Sequence, residues 1–127
     1  MDLGLQGRTA AIAAGTAGLG LGTAKALAAE GVRVVVCGRD EQRLHTALDA
    51  IGHDARGVQC DVSTADGARE FMRYAVTELG NIDILIANGG GPPPGGFAHT
   101  EFAAYSDALQ KNLLSVVAMC HEVVPAM

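Results

Sequence analysis

Tryptophan is absent from this chain, and aromatic residues make up only 4% of it. Any core must therefore be built from aliphatic and small side chains in tight layers. Lysine is scarce, with Lys25 and Lys111 the only two. Acidic residues outnumber Lys and Arg by 14 to 9, leaving a net charge of −5. That balance argues against a nucleic-acid or anionic-membrane partner. A small anion can still be held by local N–H groups and one or two arginines. The three cysteines, Cys37, Cys60 and Cys120, form no C-x-x-C pair, so buried thiols are expected rather than metal ligands or a disulfide. His45, His53, His99 and His121 show no metal spacing, and no metal site is expected. The opening Met1-Asp2-Leu3-Gly4-Leu5 is not a basic region followed by a long apolar run, and no apolar run reaches transmembrane length. A cytoplasmic protein without a signal peptide is the expectation.

Glycine and aliphatic residues are abundant. There are 17 glycines among 127 residues, 49% of the chain is apolar and 18% charged, which excludes disorder and allows one domain with a real core. The stretch Ala10–Gly22 begins apolar and turns glycine-rich, and Thr23–Gly31 continues it as a helix. Strand, glycine turn and helix together make a phosphate cradle. The glycines let the backbone approach a ligand, and the first helical turn offers free N–H groups to an anion. The spacing glycine-x-glycine-x-x-glycine is incomplete, because Gly18 and Gly20 fit but Thr23 stands third. Close packing alone also accounts for such a stretch.

Strands are predicted at Arg8–Ala13, Val32–Cys37, Arg56–Cys60 and Ile82–Ala87. Helices are predicted at Gly18–Glu30, Glu41–Ile51, from a Ser63 or Thr64 cap to Leu79, and from Thr100 to about Val124. Leu19, Thr23, Ala26, Leu27 and Glu30 fall at helical spacing in the first helix. Phe102, Tyr105, Leu109, Leu113, Val116, Val117 and Cys120 do so in the last. Four strands alternating with four helices predict an α/β fold, a doubly wound parallel sheet with right-handed crossovers.

Ligands of such sheets bind outside the carboxyl ends of the strands. The candidates there are Gly15, Thr16, Ala17, Gly18, Leu19 and Gly20 after strand one, Gly38-Arg39 after strand two, Asp61-Val62 after strand three, and Asn88-Gly89-Gly90 after strand four. The glycine turn suits a pyrophosphate. Roughly 20 residues on, where a carboxylate would hold a ribose 2′-hydroxyl, stands Gly38 followed by Arg39. A guanidinium suits a 2′-phosphate, so NADP is favoured over NAD. Asp40 reads as a helix cap, Asp61 as a cap or an adenine contact, and Asn88 as a turn residue or a brace between strands.

These features resemble the short-chain dehydrogenases/reductases, whose fingerprint Thr-Gly-x-x-x-Gly-x-Gly appears as Ala13-Ala14-Gly15-Thr16-Ala17-Gly18-Leu19-Gly20. Alanine replaces its first two residues. Asp61-Val62 matches the family's Asp-Val, and Ala87-Asn88-Gly89-Gly90 stands for its Asn-Asn-Ala-Gly. Tyr105 and Asn112 match an aromatic followed seven residues later by asparagine. The resemblance implies a Rossmann-type fold of four βα units, incomplete at 1–127. It implies hydride transfer between a nicotinamide and a small carbonyl or alcohol substrate, and self-association through helices four and five. Of the family's four catalytic positions it assigns only Asn112. The serine, and the tyrosine followed four residues later by lysine, have no counterpart, since Tyr74 precedes Glu78 and Tyr105 precedes Leu109. The catalytic carboxyl-terminal half would then lie beyond Met127, and Val116, Val117, Val123 and Val124 would leave an apolar surface open. Two other readings stand beside this one. One is a non-catalytic dinucleotide-binding or assembly module ending at Met127. The other is a methyltransferase-like module, against which Gly38-Arg39 and the Asn88 turn both count.

Overall fold

A computed structural model describes residues 1–127. Four parallel strands, β1 (Thr9–Ile12), β2 (Arg33–Gly38), β3 (Arg56–Gln59) and β4 (Ile84–Ile86), lie in the order β3-β2-β1-β4. Between them run α1 (Gly18–Ala29), α2 (Glu41–Ile51) and α3 (Ala65–Leu79). After β4 come α4 (Phe102–Leu109) and α5 (Ser115–Val123). The doubly wound parallel sheet read from the sequence is the fold observed. Strand order reverses between β1 and β4, which opens a crevice at their carboxyl ends.

Side chains alternate across a strand, and the central pair sorts its residues accordingly. Ala11, Ala13, Val35 and Cys37 face α3 and α5, where they meet Phe71, Met72, Ala75 and Met119. Ala10, Ile12, Val34 and Val36 face α1 and α2, where they meet Ala24, Ala28, Leu44 and Ile51. Both faces of β1 and β2 are buried, as their unbroken apolar runs require. Thr9 anchors β4 at the opposite end of β1. Its Oγ1 donates to the Asn81 carbonyl (2.6 Å) and accepts from the Asp83 N–H (3.0 Å).

Four expectations are corrected. In α1 the buried residues are Gly20, Ala24 and Ala28, while Leu19 is 86% exposed. The helix lies so close to β1 that only small residues fit between them; Leu21 and Leu27 pack at the flanks of this core, and Leu19 turns outwards. The last helix is not one uninterrupted α-helix either. Gln110–Leu114 widens to π geometry, with the Ser115 N–H reaching back five residues to the Gln110 carbonyl. Ser115 Oγ donates to the Lys111 carbonyl (2.6 Å) and Asn112 Nδ2 to the Ala108 carbonyl (3.0 Å), so side chains take up backbone acceptors around the widened turn. Val123 and Ala118 are buried against α3, whereas Phe102, Leu109, Leu113, Val117 and Val124 are exposed. The apolar surface expected near the end of the chain thus exists at Val117 and Val124, but Val123 is buried and Val116 packs partly buried against the core. β4 is also shorter than predicted, because the Ile82 side chain is buried in the core and the Asp83 carboxylate turns to the Thr9 N–H.

Two glycines of α1 behave oppositely. A Cβ on Gly20 would collide with the Ala14 carbonyl oxygen and come within 2.8 Å of Asn88 Nδ2, whereas one on Gly22 would meet nothing within 4 Å. In urea denaturation, Gly22→Ala is expected to stabilise the fold by about 0.5–1 kcal/mol. Gly20→Ala is expected to destabilise it by about 2 kcal/mol or more.

Candidate functional site

A groove of about 820 Å³ runs along the carboxyl ends of the strands. The turn after β1 forms one wall. Its backbone stays tied to the sheet beyond the strand itself, with Ala13 N–H donating to the Ile86 carbonyl (3.0 Å) and Gly15 N–H to the Cys37 carbonyl (2.9 Å). Asn88 Nδ2 donates to the Ala14 carbonyl (3.2 Å). Of the two readings open for Asn88, the geometry selects the brace, which ties the end of β4 to the turn after β1.

The amino end of α1 differs electrostatically from those of its neighbours. Asp40 caps α2 by accepting the Arg43 N–H (2.8 Å), and Thr64 caps α3 by accepting the Gly67 N–H (3.1 Å). Asp40 is therefore the helix cap expected. Ala17, at the same position of α1, has no side-chain acceptor, and the first turn holds no acidic residue. The positive end of that helix is left without a partner from the protein, beside the groove.

Of the residues predicted from the sequence, Thr16, Ala17, Gly38, Arg39, Asp61, Val62, Gly89 and Gly90 line the groove. Gly15, Gly20 and Asn88 lie behind that lining and shape the turn, while Gly18 is exposed and takes the left-handed φ of 53° there. Gly15 packs against Val36 so closely that a Cβ would approach its Cγ1 to 2.7 Å. Gly38 likewise leaves the space that the Thr16 side chain occupies. Leu19 points into solvent and Asn112 sits in the widened turn of the last helix, and neither lines the groove. Asp61 forms a local turn, accepting the Ser63 N–H at 2.9 Å. The Ser63 hydroxyl and N–H hold the Asp61 carboxyl below its usual range, which keeps it an acceptor facing the groove.

The sequence reading did not place Ala14, Cys37, Arg43, Cys60, Ser63 and Lys111 in this lining. Arg43 had a readable signal, lying one helical turn beyond Arg39. Lys111 had none, since its approach depends on how the last helix packs. Cys37 and Cys60 belong to the same buried cluster. Their mutual hydrogen bond and burial keep the Cys37 thiol protonated, and the same hydrogen bond lowers Cys60 below the usual thiol range. The tyrosines stand apart. Tyr74 donates its hydroxyl to the Gly57 carbonyl (2.9 Å), and burial, then the Glu78 carboxylate, raise its pKa. Tyr105 lies against Phe97, with ring centroids 6.4 Å apart.

The family model described as short chain dehydrogenase matches residues 8–127. A Streptomyces violaceoruber protein, named as ketoacyl reductase 1 of the granaticin polyketide synthase, is 36% identical over 120 residues, 92% of this chain and 44% of its own length. The L-sorbose reductase of Gluconobacter frateurii, solved with NADPH and L-sorbose, superimposes with a TM-score of 0.91 at 26% identity over 98% of this chain and 49% of its own. An actinorhodin polyketide ketoreductase solved with NADPH gives a TM-score of 0.83 at 32% identity over 92% of this chain and 46% of its own. The chain thus spans about half the length of the relatives it matches.

Ala14 occupies a left-handed backbone conformation, φ 49°, at the first glycine position of the turn. Such a φ costs a non-glycine residue about 1–2 kcal/mol, of which glycine's greater unfolded-state freedom takes back about 0.5–1 kcal/mol. Ala14→Gly is therefore expected to raise stability by about 0.5–1 kcal/mol in urea denaturation. A fall would mean that the Ala14 methyl contributes packing that outweighs the strain.

Proposed function

The chain belongs to the short chain dehydrogenase family, and from that premise we propose that it is the nucleotide-binding part of an NADP-preferring oxidoreductase acting on a small carbonyl or alcohol. The observation that carries this reading is the uncapped amino end of α1, set beside a groove whose wall only glycine at position 20 allows. Backbone N–H groups of the turn and the first helical turn would hold the pyrophosphate. Asp61 and Val62 would border the adenine, and Gly89 and Gly90 the far side. Arg39 takes part in no ion pair, whereas Arg8, Arg56, Arg69 and Arg73 each hold a carboxylate. A guanidinium left free at this position supports a 2′-phosphate as its partner. The dinucleotide, when bound, supplies or accepts the hydride.

The proton is a separate matter. A phenol, with an ordinary pKa of ~10, needs a nearby cation to exchange protons at working pH. Tyr74 is tied to the sheet and Tyr105 to Phe97, and neither lines the groove. Asn112 bonds a backbone carbonyl and has no acidic proton. The residues 1–127 by themselves are therefore expected to bind cofactor without turnover, and cofactor-dependent reduction of a carbonyl by them alone would refute this. The exposed Phe102, Leu109, Leu113 and Val117 support self-association through the last helices, to be read by sedimentation.

Calorimetric titration with NADPH and NADH tests the cofactor assignment. NADPH is expected to bind more tightly. Arg39→Asp is expected to weaken NADPH by about tenfold or more, through loss of a charge-assisted contact, and to shift the preference to NADH. An unchanged affinity ratio overturns the assignment.

A further inference from the structure

The groove floor holds two sulfurs. Cys37 pairs in register with Val58 across β2 and β3. Side chains alternate, so Cys60, two residues beyond Val58, emerges on the same face as Cys37. Pairing persists to that point, because the Cys60 N–H donates to the Gly38 carbonyl at 3.0 Å. Both side chains belong to the apolar cluster beneath α3, and both residues line the groove. Cys37 is fully buried and Cys60 is 8% exposed. A reagent entering the groove therefore meets Cys60 first and finds Cys37 behind it.

We infer that Cys37 and Cys60 form an oxidisable pair, a modification site that a hydroperoxide converts to a disulfide, closing the adenosine end of the groove to nucleotide. The second half rests on the nucleotide-binding reading above, and the first half does not.

The chemistry balances within the pair. The Cys60 thiolate attacks the peroxide, forming an S–O bond as the O–O bond breaks, and the departing oxygen leaves as water or an alcohol after taking a proton. The Cys37 sulfur then attacks the sulfenic sulfur, forming the S–S bond and expelling hydroxide, which leaves as water with the Cys37 proton. The two thiols lose two electrons and the peroxide gains them. Cys60, held towards the thiolate by its neighbour's hydrogen bond, suits the first step, and the protonated Cys37 suits the second.

Diagonal sheet neighbours lie about 7–8 Å apart at Cα, and a disulfide prefers about 5.5–6 Å. Closure therefore pulls the end of β3 towards β2. β3 is an edge strand, with no strand paired on its outer side. Asp61 follows Cys60 directly and Arg39 stands two residues after Cys37, so the residues read as adenosine contacts move with the sulfurs.

The test is to treat the protein with hydrogen peroxide, measure intact mass and map disulfides by peptide analysis, and titrate NADPH before and after. The expected result is loss of two hydrogens, a Cys37–Cys60 cross-linked peptide, and NADPH binding weakened by about tenfold or more and restored by dithiothreitol. Cys120→Ser should behave like the parent, and NADPH added first should slow the oxidation. Cys60→Ser and Cys37→Ser should each abolish the cross-link while leaving NADPH affinity insensitive to peroxide. Oxygen added at Cys120 or Cys60 with no cross-link overturns the pair. A cross-link that leaves NADPH affinity unchanged overturns the closing of the groove. A reduced protein that binds no NADPH counts against the nucleotide reading alone, because the mapped cross-link still judges the pair.

Discussion

The amino end of α1 touches the carboxyl ends of β1 and β4 through one residue without a side chain. Gly20 lies against the Ala14 carbonyl, and Asn88 Nδ2 donates to that same oxygen. This contact holds the amino end of α1 against the sheet beside the groove, and no side chain takes up the first-turn N–H groups. Any Cβ at position 20 would push the helix off and break the brace together. The crevice between β1 and β4 follows from that approach.

Packing behind the contact is consistent with it. Alanines at 10, 11 and 13 keep β1 thin, so α1 and α3 pack closely on its two faces. The small stripe Gly20, Ala24 and Ala28 continues the close approach along α1. Bulk is supplied on the other face, where Phe71, Met72 and Met119 fill the space beneath α3 and α5. The core is therefore asymmetric. The thin face brings a helix end close to the groove, and the thick face carries the larger buried cluster.

Electrostatics sharpens the same asymmetry. Asp40 and Thr64 satisfy the amino ends of α2 and α3, while α1 meets only alanine and glycine. Four arginines hold carboxylates, while Arg39 and Arg43, at the groove, hold none. A net negative chain can thus present a local site for an anion. Beside the groove, where Lys111 lines it, Gln110–Leu114 widens, and the apolar residues of α4 face outwards. Residues that elsewhere would form a core stripe remain uncovered there.

The sequence by itself determined the strand–helix alternation, the parallel sheet and the position of the ligand crevice. Each is written in local patterns: β-branched runs, caps at Asp40 and Thr64, and glycines after strand one. It also determined that Arg39, Asp61 and Asn88 share one edge, because all follow parallel strands. Tertiary structure decided what depends on distance between segments. It turned Leu19 outwards, since the gap between α1 and β1 admits only small residues. It widened the last helix at Gln110–Leu114, where Ser115 and Asn112 bond to nearby carbonyls. It brought Lys111 and Arg43 to the groove, and it set Cys37 beside Cys60 through a register that no single strand encodes.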